Sequence, residues 1–281
     1  MNDPALTVSD ALRRLMAERM PSEGEVSPRD TRLLLAHAMG IDPGRLTLMV
    51  RDAVSPEVFD AARHLCRQRS AGIPVSHLRG YRDFYGRRFT VTADVLDPRP
   101  ETETLIATAL ETAFGTVLDL GTGSGCILTT LLAERPEAKG IGTDLSTKAL
   151  KIAASNAVRL GVSPRAEFVE SNWFDAVKGR FDLIVSNPPY IALSEMESLS
   201  AEVLHEPRMA LTDEADGLTA YRALAQGAPG HLEPGGWLMV EIGLTLGEAV
   251  ADLFRAAGLS DVEIRADLDG RDRVVMARRG V

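Results

Sequence analysis

Cysteine and long apolar segments are both scarce in this 281-residue chain. Its two cysteines, Cys66 and Cys126, lie far apart and lack the C-x-x-C spacing of many redox and zinc sites. We therefore expect no disulfide framework, no metal site and a reducing, cytoplasmic compartment. No run of about 18 uncharged apolar residues occurs, so no membrane-spanning segment is expected. The start of the chain also lacks the apolar core of a secretory signal.

Lysine is absent from the first 90 residues, which contain 14 Arg and 11 Asp plus Glu, a net charge of +3. The remainder contains 17 Lys plus Arg and 29 Asp plus Glu, a net charge of −12. With 45% hydrophobic and 25% charged residues the composition is that of a globular protein, which excludes a disordered or fibrous chain. The overall charge of −9 argues against a protein held mainly by nucleic-acid phosphates.

An excess of arginine marks residues 61–90, where a single acid, Asp83, accompanies seven arginines. These are Arg63, Arg67, Arg69, Arg79, Arg82, Arg87 and Arg88. One interpretation is an ordinary solvated face of the fold. The other is a docking patch for an acidic partner or RNA. The sequence leaves both open.

Four short helices are predicted in the first seventy residues, starting near positions 10, 28, 43 and 56, the first of them ending near position 20. Ser27 and Ser55 each precede a proline, so each can cap a helix that has proline at its first position. We therefore expect a helical domain over residues 1–73, to which the family resemblance described below assigns substrate docking. Two short strands joined through Gly86 then predict a β-hairpin linker over residues 74–97.

From about residue 98 to residue 281 the pattern changes to alternating helices and strands. The predicted strands are residues 117–120, 140–143, 166–169, 181–186, 237–241, 262–265 and 273–277. Repeated strand–helix units require a parallel sheet covered on both faces. The last two strands are separated by a short turn, which permits only antiparallel pairing. The prediction is a Rossmann-like α/β fold, mostly parallel with one antiparallel strand near the end, as in S-adenosylmethionine-dependent methyltransferases.

A glycine-rich loop follows the first strand of this domain, with the sequence Asp119-Leu-Gly-Thr-Gly-Ser-Gly125. Ligands of open α/β sheets bind beyond the carboxyl ends of the strands, and glycine lets the backbone approach them closely. Cys126 stands where the dinucleotide pattern G-x-G-x-x-G needs its last glycine, which disfavours a dinucleotide. Asp144, at the end of the next strand, can accept both hydroxyls of a ribose.

A rigid Asn-Pro-Pro-Tyr turn, Asn187 to Tyr190, follows the strand at residues 181–186. The two prolines fix the backbone, so the Asn187 side-chain carbonyl and the Pro188 backbone carbonyl can accept both hydrogens of one planar –NH₂ group. Tyr190 can stack on that plane. Such a site orients a weakly nucleophilic nitrogen toward an electrophilic methyl group.

These two motifs resemble those of the amino-methyltransferases, and further segments narrow the resemblance. Residues 95–103, VLDPRPETE, are similar to a segment of the bacterial peptide chain release factor glutamine methyltransferases. Segments over about residues 74–277 follow the order of that family. The resemblance implies methyl transfer from S-adenosyl-L-methionine to the amide nitrogen of the glutamine in the Gly-Gly-Gln motif of release factors. It also implies a cytoplasmic monomer with no membrane partner and no direct nucleic-acid substrate.

The resemblance also assigns roles to individual residues. The cofactor loop would comprise Gly121, Thr122, Gly123, Ser124 and Gly125. Asp144 would hold the cofactor ribose, Trp173 would pack beside its adenine, and Asn187 would touch cofactor and substrate. The catalytic amide site would comprise Asn187, Pro188, Pro189 and Tyr190. The substrate loop would be ordered by Arg99, Glu101 and Glu103, for which an internal ion pair is the alternative.

Other readings stay open at this point. A ribosomal protein glutamine methyltransferase shares the Asn-Pro-Pro-Tyr motif but has a different version of the VLDPRPETE segment. A DNA adenine methyltransferase would need a recognition insert and a basic groove. A dehydrogenase and a non-catalytic binding module are further alternatives. The chain departs from the family pattern at Asp97, Glu214 and Leu246, where an apolar residue, glycine and glutamine are frequent.

Overall fold

The computed structural model describes residues 6–18 and 26–281, which divide into two compact units. The first, here the helical unit, comprises the described residues up to Tyr81 together with Ser200–His205. The second, here the sheet unit, comprises Arg82–Leu199 and Glu206–Val281. None of the described helices combines the length and apolarity needed to cross a lipid bilayer.

The helical unit consists of short helices around one apolar core. They are Val8–Ala17 (α1), Pro28–Ala38 (α2), Pro56–Ser70 (α3) and Val75–Arg79 (α4), with a 3-10 helix at Pro43–Thr47. The Ser27 and Ser55 hydroxyls accept the N–H groups of Asp30 and Val58, which confirms the predicted caps. The core includes the fully buried Leu34. Residues 19–20, predicted as the end of the first helix, lie outside the described residues, and α4 was not predicted.

A β-hairpin follows, with strands Tyr81–Phe84 (β1) and Arg87–Thr90 (β2). Its two central residues, Tyr85 and Gly86, both have positive φ, as the tightest hairpin turns require. Phe84 and Phe89 pack edge to face, with ring centroids 5.9 Å apart, inside a core cluster of the sheet unit. The predicted hairpin is confirmed.

The sheet unit is built on seven strands. They are Thr116–Leu120 (β3), Lys139–Asp144 (β4), Ala166–Glu170 (β5), Phe181–Ser186 (β6), Leu232–Glu241 (β7), Ser260–Ala266 (β8) and Asp272–Arg278 (β9). Their order is β5-β4-β3-β6-β7-β9-β8. All neighbouring pairs from β5 to β7 are parallel, and β9 is antiparallel to both β7 and β8. The predicted mixed sheet is confirmed.

Helices cover both faces of this sheet. They are Thr102–Leu110 (α5), Cys126–Glu134 (α6), Thr147–Arg159 (α7), Arg208–Leu211 (α9), Thr219–His231 (α10) and Gly247–Ala256 (α11), whereas Ala201–Leu204 (α8) belongs to the helical unit. Val117 and Leu118, consecutive on β3, enter two different apolar clusters, because side chains alternate along a strand. Because β3, β4, β6 and β7 run parallel, their carboxyl ends meet along one edge of the sheet. The glycine loop, Asp144 and the Asn-Pro-Pro-Tyr turn lie at this edge.

The seven arginines of the arginine-rich segment all have partners within their own unit. In the helical unit, Glu18 accepts from Arg63 and Arg67 at 2.7 and 3.1 Å, and Arg69 lies 2.9 Å from Asp30 and 2.8 Å from Glu202. The remaining partners are Tyr81 for Arg79, Asp97 for Arg82, Glu134 for Arg87 and Asp83 for Arg88. These pairs give the positive charge a structural role inside the fold.

Candidate active site

The glycine loop connects β3 to α6 through a series of backbone conformations that favour glycine. Gly121, Gly123 and Gly125 have φ values of 69°, 54° and 77°. A Cβ atom on Gly125 would lie 2.9 Å from the Cβ of Ala153, so this position also requires the absence of a side chain. Nothing lies within 4 Å of a Cβ built on Gly121 or Gly123. These two glycines line an open cavity.

A buried carboxyl group at the end of β3 holds the loop in place. Asp119 Oδ2 accepts the Thr122 hydroxyl at 2.6 Å and the Leu128 N–H at 3.3 Å. Burial raises the pKa of Asp119 to about 7, although both hydrogen bonds act in the opposite direction. Asp119 has no accessible surface and is not part of the cavity wall. Its role is therefore to fix the loop.

Asp144 lies at the end of β4 and lines the same cavity. Its Oδ2 accepts the Gly123 N–H at 2.9 Å and its Oδ1 accepts the Ser146 N–H at 2.8 Å. Burial raises the pKa of this carboxyl, against the lowering effect of these two N–H groups. A carboxylate oxygen has room for more than one hydrogen bond, so Asp144 retains the capacity to accept from a pair of vicinal hydroxyls.

Trp173 forms another part of the cavity wall. Its φ of 49° is unusual for a bulky residue, and the Ser171 hydroxyl donates to its backbone carbonyl at 2.9 Å. The side chain packs against the core cluster of α10 and α11. The structure thus places a large aromatic side chain in the same cavity as the loop and Asp144.

The Asn-Pro-Pro-Tyr turn also contributes to the cavity wall. Asn187 and Pro189 line it, and Asn187 Nδ2 donates to Thr102 Oγ1 at 3.2 Å. Asn187 Oδ1 is buried and has no hydrogen-bond partner among the described residues. A buried carbonyl without a partner is costly, so this oxygen is an acceptor prepared for a donor that is not part of the described chain.

The other two residues of the turn support it from outside the cavity wall. Pro188 is buried, and neither Pro188 nor Tyr190 is among the lining residues. The Tyr190 ring lies so close to Gly243 that a Cβ there would be 3.2 Å from Tyr190 Cδ2. Burial raises the pKa of Tyr190 to about 12, so its phenol stays protonated near neutral pH and is no general base.

The three charged residues expected at the mouth are separated by the structure. Arg99 lines the cavity and pairs with the buried carboxyl of Glu206, with 2.5 Å between Nη2 and Oε2. Glu103 instead accepts the Tyr85 N–H at 2.8 Å, which ties α5 to the hairpin turn. Glu101 is exposed and is not among the lining residues. An internal ion pair is therefore present at Arg99.

Several lining residues were not predicted from the sequence. Thr102 was part of a recognised segment but had no assigned role, although its position after P-R-P-E places it at a helix start. Arg208 and Glu214 lie between β6 and α10, in a stretch for which the sequence predicted no helix or strand. They form an ion pair with 2.5 Å between Nε and Oε1, and nothing in the local pattern marks that pairing.

The cavity has a volume of about 580 Å³, within the range of about 300–1,000 Å³ typical of ligand sites. Its wall includes residues of the glycine loop, Asp144 and Asn187. Among the described residues no cluster of three His, Cys, Asp or Glu is placed to hold a metal ion. A mixed sheet of this order, a glycine loop on its central strand and an Asn-Pro-Pro-Tyr turn on the next define an amino-methyltransferase fold.

Comparison with known proteins agrees with this class and narrows it. Residues 94–217 match the family described as "Methyltransferase small domain", and residues 10–80 match "PrmC N-terminal domain". The release factor glutamine methyltransferase of Cereibacter sphaeroides is 56% identical over 97% of this chain and 99% of its own length. That of Rhodospirillum rubrum is 44% identical over 94% and 82%. The chain belongs to the release factor glutamine methyltransferase family.

Solved structures show the same fold at low sequence identity. A methyltransferase from Pyrococcus furiosus superposes with a TM-score of 0.55 at 18% identity, over 70% of this chain and 91% of that one. The catalytic domain of hMettl16, solved with an RNA hairpin, gives a TM-score of 0.58 at 14% identity, over 76% and 81%. At these identities the likeness extends to the fold alone.

Proposed function

We propose that this enzyme transfers a methyl group from S-adenosyl-L-methionine to the side-chain amide nitrogen of the glutamine in the Gly-Gly-Gln motif of peptide chain release factors. The observation that carries the proposal is the buried Oδ1 of Asn187, which has no partner in the part of the chain that the structure describes and belongs to a cavity that the glycine loop also lines. Membership of the family supplies the substrate class. Because release factors act in the cytoplasm, we place the enzyme there, and the two free thiols are compatible with that compartment.

The glycine loop, Asp144 and Trp173 together fit S-adenosyl-L-methionine. Gly121 and Gly123 leave open space beside the backbone, and Asp144 offers a carboxylate for the ribose hydroxyls. Trp173 supplies a large apolar surface for the adenine, and Thr122 and Ser124 complete the lining of the loop. The cofactor supplies an electrophilic methyl group on a sulfonium and leaves as S-adenosyl-L-homocysteine.

Asn187, in the Asn-Pro-Pro-Tyr turn, holds the target amide. Asn187 Oδ1 accepts one hydrogen of the target –NH₂ group, which turns the nitrogen toward the methyl group. Orientation of this kind can contribute a large part of the barrier reduction. Since the Tyr190 phenol is not a base near neutral pH, the displaced proton leaves to water.

Recognition around the target glutamine is proposed for the segment that contains Arg99 and Glu101. Arg99 is held at the cavity wall by Glu206, so its remaining donors can contact the backbone of an incoming loop. Glu101 is exposed at the start of α5 and can bind a donor of that loop. Glu103 contributes indirectly, since it anchors the hairpin through Tyr85.

The proposal is tested by incubating the purified enzyme with methyl-labelled cofactor and a release factor. The expected result is label on the parent release factor and none on a variant with alanine in place of the Gly-Gly-Gln glutamine. Equal label on both would overturn the assignment. A ribosomal protein as second substrate separates the alternative glutamine methyltransferase, which would label that protein instead.

A further inference from the structure

The backbone that follows the Asn-Pro-Pro-Tyr turn lies against one loop of the sheet unit. This loop, residues 211–219, is here the support loop, and it connects α9 to α10. The Ile191 N–H donates to the Leu211 carbonyl at 3.0 Å, and the Leu193 N–H donates to the Ala215 carbonyl at 2.9 Å. The chain just beyond the turn is therefore held to the support loop by main-chain hydrogen bonds at two positions.

Gly217 brings the support loop into direct contact with the turn itself. Its φ is 78°, and a Cβ atom at this position would lie only 2.5 Å from the Tyr190 carbonyl oxygen. Ordinary van der Waals contact begins near 3.4 Å, so a side chain here would have to separate the two backbones by about 1 Å. Gly217 is not among the residues that line the cavity, so its influence on the cavity passes through Tyr190.

One carboxylate holds the support loop in this shape. Asp213 Oδ1 accepts the N–H groups of Ala215 and Gly217 at 2.9 and 3.0 Å, and Oδ2 accepts the Thr219 N–H at 2.8 Å. Partial burial acts to raise the pKa of Asp213, but these N–H groups outweigh it and hold the pKa below its usual 3.8. The carboxyl is therefore ionised near neutral pH, and hydrogen bonds to an ionised acceptor are stronger than those to a neutral one.

A displacement of Tyr190 is transmitted to Asn187 because the turn between them is stiff. Pro188 and Pro189 each have a fixed φ, and the conformation of a residue that precedes a proline is restricted as well. The four residues of the turn therefore shift together instead of bending in the middle. A shift of about 1 Å in a group that orients the substrate can lower the rate by about 10²-fold.

We propose that Asp213 and Gly217 are positioning residues that set the place of the Asn187 amide in the cavity. Asp213 gives the support loop its shape, and Gly217 allows that loop to meet the Tyr190 carbonyl. The stiff turn then carries the position of Tyr190 to Asn187. The inference rests on the proposed function, because it is the –NH₂ group of a substrate that requires the amide at one place.

The first test compares Gly217 with a glycine of the same conformation. Gly217→Ala sets a methyl group against the Tyr190 carbonyl and should lower kcat by about 10²-fold. The KM for the release factor and the Kd for the cofactor should change by less than about threefold, since the groups that bind both are retained.

Gly270 supplies the matched control for this substitution. It lies in the turn between β8 and β9 and also has a φ of 78°, but nothing in the described chain lies within 4 Å of a Cβ built on it. Gly270→Ala therefore introduces the same left-handed strain without the contact to Tyr190. Its kcat should stay within about twofold of the parent.

The second test separates the shape of the support loop from the charge of Asp213, which itself lines the cavity. Asp213→Ala removes all three hydrogen bonds and should lower kcat by about tenfold, because a loosened loop displaces the turn less than an inserted methyl group does. Asp213→Asn removes the charge but keeps a carbonyl oxygen that can accept from Ala215 and Gly217. It should therefore restore most of kcat.

Asp216 is the control for the loss of an acid from the same loop. It accepts the Leu218 N–H at 3.1 Å and pairs with Arg222, and it is not among the residues that line the cavity. Asp216→Ala should keep kcat within about twofold of the parent, since neither contact reaches the turn.

Circular dichroism establishes first that each variant is folded, and the Asp213 series decides alone if Gly217→Ala is not. Equal kcat values for Gly217→Ala and Gly270→Ala would overturn the inference. It would also be overturned if Asp213→Asn were as slow as Asp213→Ala, because the charge and not the loop would then matter. If the parent enzyme leaves the release factor unmethylated, the proposed function is wrong and the inference falls with it.

Discussion

Arg99 Nη2 lies 2.5 Å from Oε2 of Glu206, whose side chain is only 2% exposed. Glu206 also accepts the backbone N–H of Asp97, through Oε1 at 3.2 Å. Burial raises the pKa of Glu206, and the guanidinium of Arg99 acts in the opposite direction. The ion pair thus compensates a buried charge and fixes the backbone of residues 97–99 along the cavity wall.

Arg99→Met should lower the free energy of unfolding by about 2 kcal/mol. Removing one partner of a buried pair costs about 3–5 kcal/mol, and the estimate is reduced because Arg99 is 34% exposed. Glu206→Gln in the Arg99→Met background should restore part of the loss, since it removes the uncompensated charge. Urea unfolding of the parent, of Arg99→Met and of the double variant measures this. Unchanged stability of Arg99→Met would show that the pair carries no structural role.

Asn187→Ala should abolish methyl transfer while leaving cofactor binding within about threefold of the parent. It removes a buried acceptor of a cavity-lining residue that has no hydrogen-bond partner among the described residues. Loss of a single oriented group of this kind lowers kcat by about 10²–10³. Single-turnover assays with labelled cofactor measure the rate of methyl transfer. Calorimetry measures the Kd of the cofactor. Turnover near that of the parent would show that the target amide is held by other groups.

Asp119 should make the chain less stable as pH rises from about 4 to 7. Its pKa is 3.8 when unperturbed and about 7 in the fold, where burial is the largest cause. Between these values the folded state binds a proton that the unfolded state has lost, so stability decreases with rising pH. Asp119→Asn can still accept from Thr122 and Leu128 but does not titrate.

The stability of Asp119→Asn relative to the parent should therefore be higher at pH 8 than at pH 5. Denaturant unfolding of both proteins at the two pH values isolates the Asp119 contribution, because other titrating groups cancel in the difference. The same difference at both pH values would mean that Asp119 is ionised in the fold throughout that range.

Structural features were predictable from the sequence wherever the interacting residues lie close together in the chain. Ser27 and Ser55 cap helices because hydroxyl, proline and first turn are within four positions. The antiparallel end of the sheet followed from a turn too short for a crossover. The carboxyl ends of parallel strands then brought Asp144 and Asn187 to one cavity, as their positions after strands indicate.

Partners far apart in sequence were not predictable. Glu206 reaches Arg99 across 107 positions, and no periodicity marks either residue. The helices α8 and α9, between β6 and α10, lack the length and amphipathic pattern that make helices recognisable, because each has only one turn. The predicted stacking of Tyr190 on the target amide stays a prediction. In the described chain the Tyr190 ring packs against Gly243 and is not among the residues that line the cavity.

Arg69→Ala should loosen the helical unit. The Arg69 side chain is 18% exposed and lies between the carboxylates of Asp30 and Glu202, so its loss leaves two acids without their shared cation. Amide hydrogen exchange in α3 should become about tenfold faster, equivalent to about 1.4 kcal/mol. Arg13→Ala is the control, because its pair with Asp10 is 74% exposed on the arginine side and surface pairs contribute little. Equal exchange in both variants would restore the arginine-rich segment as a candidate docking surface.

Glu214→Gly and Glu214→Ala should differ in stability by about 1 kcal/mol, with glycine the more stable. Glu214 has a φ of 59°, a left-handed conformation that costs a residue with a Cβ about 1–2 kcal/mol and glycine almost nothing. Both variants lose the same exposed ion pair with Arg208, so that loss cancels between them. Thermal unfolding measures the difference, and an alanine variant as stable as the glycine variant would show that the loop relaxes to negative φ once the ion pair is gone.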